Sequence, residues 1–191
     1  MTPEFRQHLF DVRDNAKQLY SMEQIDQAIL DMAAAINRDY ADRDPLLLTI
    51  MNGGVVLMGK LLPLLEFPLQ IDYLHATRYR GDTSGAVIEW IVTPGLSLKG
   101  REVIIVDDIL DVGATLLAIV DACEKQGAAS VATAVLVDKV HDRKAMPGIK
   151  ADYTGVEAED AYLFGCGMDY REYWRNMPGL YAVAEQQEQK Q

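Results

Sequence analysis

Only two of the 191 residues are cysteine, Cys123 and Cys166. Two thiols build neither a disulfide framework nor the ligand spacing of a zinc site, and their scarcity points to a reducing compartment, the cytoplasm. Cys166 has no histidine at a recognisable activating distance in sequence and reads as a small buried residue. Histidine is nearly as sparse: His8, His75 and His141 share no metal-binding spacing, so structure or solvation is their expected role. No run of about 18 apolar residues occurs, hence neither a membrane-spanning helix nor a membrane partner is expected. Residues 1–19 are mixed and charged and lack the apolar stretch of a secretory signal. Positive charge is short as well. Eighteen lysines and arginines face 29 aspartates and glutamates, a net charge of -11. That balance makes nucleic acid a poor partner overall and suits carboxylates that hold divalent cations. Repeats, low-complexity blocks, linkers, a Walker A loop and a dinucleotide fingerprint are all missing.

What is present suits one globular domain. A hydrophobic fraction of 49% is too high for disorder, and the length is enough to bury a core. Ser21 and Gln24 form a capping-box pattern. Ile25, Ile29, Met32, Ala33 and Ile36 then recur at helical spacing, which predicts an amphipathic helix over 22–38. The apolar run 46–51 predicts a strand buried on both faces. Asn52, Gly53 and Gly54 break it, and 55–65 reads as a helix ending near Pro63. Strands are expected at 69–76 and 86–92, with a polar loop at 77–85 between them. The clearest unit follows: strand 102–106, loop 107–114, helix 115–126 and strand 130–137. This is a βαβ unit, so the fold class is α/β with a mostly parallel sheet flanked by helices. Short strands are expected at 162–164 and 181–184, and a frayed tail after 185.

In the βαβ unit, an apolar strand ends in Asp107 and Asp108, and Asp111, Gly113 and Thr115 lead into the helix. Ligands of open α/β sheets bind beyond the carboxyl ends of the strands. The loop N–H groups and helix N-terminus suit a phosphate, with the Thr115 hydroxyl beside them. Three carboxylates would repel that phosphate unless they face sugar hydroxyls, a metal ion or a proton to be removed. Taken alone, an Asp-Asp pair is also consistent with a solvated strand end.

The full run from Val103 to Thr115 resembles the phosphoribosyl pyrophosphate signature of the type I phosphoribosyltransferases. The similarity extends from about residue 46 to 183, and the order of motifs is that of the hypoxanthine-guanine branch. The resemblance implies a single domain, 1–191, whose core sheet carries a small hood from about 1–20 and 150–185. It implies Mg²⁺ as cofactor, and phosphoribosyl pyrophosphate, hypoxanthine and guanine as partners. A homo-oligomer, dimer or tetramer, is also implied.

By the same resemblance, Asp107 and Asp108 hold the ribose hydroxyls; the first is commonly Glu in relatives. Asp111 is the general base near purine N7, and Asp111, Val112, Gly113, Ala114 and Thr115 cradle the 5′-phosphate. Met51, Asn52 and Gly53 bind pyrophosphate in a loop that often has a cis peptide, here Met51–Asn52; many relatives have Lys in place of Asn52. Arg78 and Tyr79 stand where relatives have Ser-Tyr in the loop that closes over the site, and Arg175 reaches pyrophosphate. Lys139 donates to the purine 6-oxo group, Tyr162 stacks on the base, and Leu163 offers backbone groups to its edge. Asp169 frames the base and, with Asp107 and Asp108, holds the metal. Two other readings share the motifs: a xanthine-guanine enzyme, and a regulator of transcription that keeps the sugar-phosphate site. The net charge and the presence of Asp111 weigh against the regulator.

Overall fold

The computed structural model describes residues 1–78 and 88–184. The chain starts with α1 (Pro3–Asn15), capped by the Thr2 hydroxyl accepting from the Phe5 N–H, and β1 (Lys17–Tyr20). Ser21 then caps α2 (Met22–Tyr40) with the expected reciprocal pair. Its hydroxyl accepts from the Gln24 N–H, and the Gln24 side-chain oxygen accepts from the Ser21 N–H. The buried face of α2 holds Ile25, Ile29, Met32, Ala33, Ile36 and Tyr40.

The next strand, β2 (Leu46–Ile50), is buried at every position. It lies inside a sheet with β3 (Gln70–Arg78), β4 (Ile88–Val92), β5 (Glu102–Leu110), β6 (Ser130–Val140) and β7 (Tyr153–Glu159), in the order β4-β3-β2-β5-β6-β7. All neighbours are parallel except β3 and β4. Strand alternation sends side chains to opposite faces, so a parallel sheet needs cover on both. Leu47, Ile104, Val106 and Leu136 pack with α2 and with α3 (Val55–Leu61), which runs into a 3₁₀ turn at Leu62–Leu64. Leu46, Leu48, Val103 and Ile105 pack on the other face with Leu116, Ile119 and Cys123 of α4 (Ala114–Lys125).

A second, antiparallel sheet joins the two ends of the chain. Its order is β1-β9-β8, with β8 at Leu163–Phe164 and β9 at Leu180–Ala182. Leu9 and Val12 of α1 pack there with Phe164, Tyr170 and Val183, and the Trp174 indole N–H donates to the Leu9 carbonyl at 2.9 Å. No helix among the described residues is long and apolar enough to cross a membrane.

Several boundaries differ from expectation. The helix α1 and the strands β1 and β7 carry weak sequence signals. Residues 153–159, inside the stretch expected for the hood, form an edge strand of the large sheet. The strand β5 runs four residues beyond Val106, because Asp107, Ile109 and Leu110 keep their register with Val135, Val137 and Asp138 of β6. The acidic pair therefore belongs to the strand and not to the loop. The strand β3 reaches Arg78, whose backbone pairs with Ile88; Tyr79 and the remainder of the expected loop to 85 lie outside the described residues.

Candidate active site

The chain segments that follow β2, β5 and β6 meet at the carboxyl ends of these parallel strands, and the segment around 160–175 folds across them. After β2 the chain turns through a cis peptide between Met51 and Asn52. Gly53 lies so close to the end of β5 that a Cβ there would overlap the Asp108 carboxylate. After β5, Gly113 takes φ 84°, a left-handed conformation that glycine adopts without a side-chain clash, and starts α4. Unlike α1 and α2, this helix has no side-chain cap. Ala114 and Thr115 occupy its first turn, which carries no acidic residue, so its N-terminal field stays open to an anion.

The two strand carboxylates stand under strain of charge. Asp107 Oδ1 accepts from the Asp108 N–H at 2.9 Å. Burial, and then repulsion from Asp108, push the Asp107 carboxyl well above the ordinary carboxylate range. Burial raises Asp108 too, against hydrogen bonding from Asp107 and the pull of Arg175. The Arg175 guanidinium bonds Asp169 Oδ1 at 2.6 Å and donates to the Gly167 carbonyl at 2.7 Å. It also approaches Asp108 Oδ2 at 3.9 Å. Asp169 Oδ2 accepts from the Glu172 N–H at 2.7 Å, so both its oxygens are oriented.

Beside this acidic edge lies a cleft of about 210 Å³. Asp108, Asp111, Lys139, Tyr162, Leu163 and Asp169 line it, together with Ile109 and Met168. Six residues predicted from distant parts of the sequence thus meet at one cavity. A larger depression of about 490 Å³, between α2 and β7, contains none of the predicted residues. Lys139, with a side chain 9% exposed, is the cation of the cleft. Its Nζ lies 3.1 Å from Asp160 Oδ1 and 3.4 Å from Asp111 Oδ2, as a buried ammonium requires. Tyr162 meets Tyr170 edge to face, with ring centroids 5.4 Å apart.

His141, for which structure or solvation was expected, packs directly against the predicted base. Its Nε2 lies 2.6 Å from Asp111 Oδ1 and its side chain is 4% exposed. Arg143 and Asp160 were not singled out by the sequence. Arg143 Nη2 bonds both Asp160 oxygens, at 2.7 and 2.8 Å, and with Lys139 it draws the Asp160 carboxyl down to about 2. Ligand atoms of Asp111, His141 and Asp160 lie within 4.8 Å of one another, close enough to share a metal ion. Lys139 and Arg143 already balance the two carboxylates, so this trio does not call for a metal.

Residues 15–172 match the phosphoribosyl transferase domain. The chain belongs to the phosphoribosyltransferase family. It is 34% identical over 167 residues to a hypoxanthine-guanine phosphoribosyltransferase of Staphylococcus epidermidis, covering 87% of this chain and 92% of that one. The namesake protein of Bacillus subtilis is 33% identical over 166 residues, 86% of this chain and 91% of its own. Among solved structures, a hypoxanthine phosphoribosyltransferase from Staphylococcus aureus superposes with a TM-score of 0.83 at 29% identity, covering 89% and 92% of the two chains. Lys139 and Asp111 were each open to reading by resemblance to the phosphoribosyltransferase motifs, although their contact, 28 residues apart in sequence, rests on the pairing of β5 with β6. The His141–Asp111 contact, 30 residues apart, rests on the same pairing, and no motif marks His141 in the sequence.

Proposed function

We propose that the chain transfers the phosphoribosyl group of phosphoribosyl pyrophosphate to N9 of hypoxanthine or guanine, giving IMP or GMP and pyrophosphate, a purine-salvage reaction. The names of the relatives over nearly the full chain support this, and one observation carries it: a buried lysine, Lys139, next to Asp111 in a cleft of purine size. The N9–C1′ bond forms as the bond from C1′ to pyrophosphate breaks, with its electron pair leaving on pyrophosphate. Asp111 takes the N7 proton. Lys139 has only donors, which match the 6-oxo group. Tyr162 stacks on the base and the Leu163 backbone frames its edge. Asp107 and Asp108 hold the ribose hydroxyls, and Asp111 to Thr115 hold the 5′-phosphate with the α4 N-terminus behind them. Met51, Asn52, Gly53, Arg78, Tyr79 and Arg175 hold pyrophosphate.

The chemistry of the acidic edge fits a hard divalent cation. Asp107, Asp108 and Asp169 offer carboxylate oxygens, and the first two are raised by a burial that a cation would offset. Mg²⁺, when bound, supplies charge neutralisation for the departing pyrophosphate.

The test is kcat/KM for hypoxanthine, guanine, xanthine and adenine with phosphoribosyl pyrophosphate and Mg²⁺. Hypoxanthine and guanine are expected as substrates, xanthine as a weak one. Adenine should be rejected by about 10⁴–10⁵-fold, since its amino group faces the donors of Lys139. Lys139→Gln should narrow the gap to adenine, and EDTA should abolish turnover. Efficient use of adenine by the wild type overturns the reading.

A further inference from the structure

We propose that His141 is a positioning residue for Asp111, holding its carboxylate in the orientation in which it takes the purine proton. This rests on the base role given to Asp111 above. The imidazole has two bonded nitrogens. Nδ1 accepts from the Arg143 backbone N–H at 3.0 Å. A backbone N–H can only donate, so Nδ1 presents its lone pair and the ring hydrogen is on Nε2. Nε2–H therefore donates to Asp111 Oδ1 at 2.6 Å.

Exposure gives this contact its direction. The His141 side chain is 4% exposed and that of Asp111 is 42% exposed. The carboxylate is thus gripped from the protein side and open on the cleft side. His141 is itself held firmly. Lys144 Nζ, in the same loop, donates to the Leu110 carbonyl at 2.8 Å and to Asp138 Oδ1 at 2.6 Å. The Ala145 N–H donates to the Val112 carbonyl at 2.8 Å. Leu110 and Val112 flank Asp111, so the loop bearing His141 is clamped to the Asp111 backbone on both sides.

The arrangement also separates the roles of the two Asp111 oxygens. Oδ1 is committed to His141, whereas Oδ2 has Lys139 only at 3.4 Å and is the oxygen available to the proton. His141 does not relay that proton onward: Nε2 already carries hydrogen, and Nδ1 is occupied by the Arg143 N–H. Its contribution is orientation, and a misplaced base can slow a reaction by about 10²-fold.

Two substitutions separate this role from loop structure. Glutamine places an amide N–H where Nε2–H stands, while asparagine reaches only as far as Nδ1 and keeps an acceptor for the Arg143 N–H. Steady-state kinetics of H141Q, H141N, D111N and the D111N/H141N double variant, with melting temperatures, form the experiment. H141N should lose about 10- to 100-fold in kcat with KM for both substrates within about twofold, and H141Q should recover most of that loss. D111N should itself lose about 10²–10⁴-fold, and H141N should cost nothing more in its background. Full activity in H141N beside a crippled D111N overturns the positioning role alone. So do equal losses in H141N and H141Q, or a loss in H141N that persists in D111N. A D111N rate within about threefold of wild type overturns the base reading and the positioning role with it.

Discussion

The carboxyl of Asp107 sits beside that of Asp108 at the end of a buried strand, and burial and this neighbour hold it far above the ordinary value of 3.8. A raised carboxyl favours the folded state when protonated. Its contribution is fully present below the unfolded-state value near 3.8 and is lost as pH rises through the folded-state value. Asp107→Asn keeps the shape, and its side-chain oxygen can still accept from the Asp108 N–H, but the charge is gone. The ligand-free variant should therefore melt higher than wild type near pH 8, by about 2–4 °C for each kcal/mol of relief. The difference should shrink toward about pH 4. Calorimetry across that range checks it, and a lower melting temperature for the variant near pH 8 counts against the burial argument. Residues of this kind were legible because they end an apolar run. His141, Arg143 and Asp160 were not, since each is polar in a polar stretch and takes its meaning from partners on another loop.

At the scale of elements, the sequence showed most where period and cap agree. The capping box and apolar stripe of α2 led to the helix that is found, and the unbroken run of β2 led to a strand covered on both faces. Prediction failed where pairing decides. Asp107 to Leu110 continue β5 through bonds to β6 although the apolar run has ended, and β7 alternates too weakly to announce an edge strand. The loop after β2 was placed by its glycines, and Gly53 gives a test. An added methyl group would take the space of the Asp108 carboxylate, a short and buried side chain with little room to retreat. Gly53→Ala should cost about 1–3 kcal/mol of stability, as overpacking does. It should also raise KM for phosphoribosyl pyrophosphate at least about tenfold while changing KM for the purine far less, given the 1.4 kcal/mol worth of a tenfold change. Unchanged kinetics would mean that the Asp108 position is not critical to sugar binding.

The molecule as a whole combines a large sheet, packed on both faces, with a small one built from its two ends. The smaller is the less legible, because its strands are two to four residues long and their partners lie far apart in sequence. Among the described residues, only β9 joins β1 to β8. Ending the chain at residue 179 removes that strand and the buried Leu180, Ala182 and Val183, a loss of about 1.5–3 kcal/mol for the leucine and valine each. The six-stranded sheet keeps all its pairings. Such a protein should retain an α/β circular-dichroism spectrum, show altered Trp174 fluorescence and have no measurable turnover; wild-type turnover would show that the small sheet does not support the cleft. The order of strands has a further consequence during translation. The ribosome releases β1 first, β8 much later and the strand between them last, so Leu163 at the cleft wall gains its support only when residue 182 has emerged. A nascent chain can complete its parallel sheet and still be unable to consume an activated sugar, which makes the addition of β9 the step that turns a folded polypeptide into a working one.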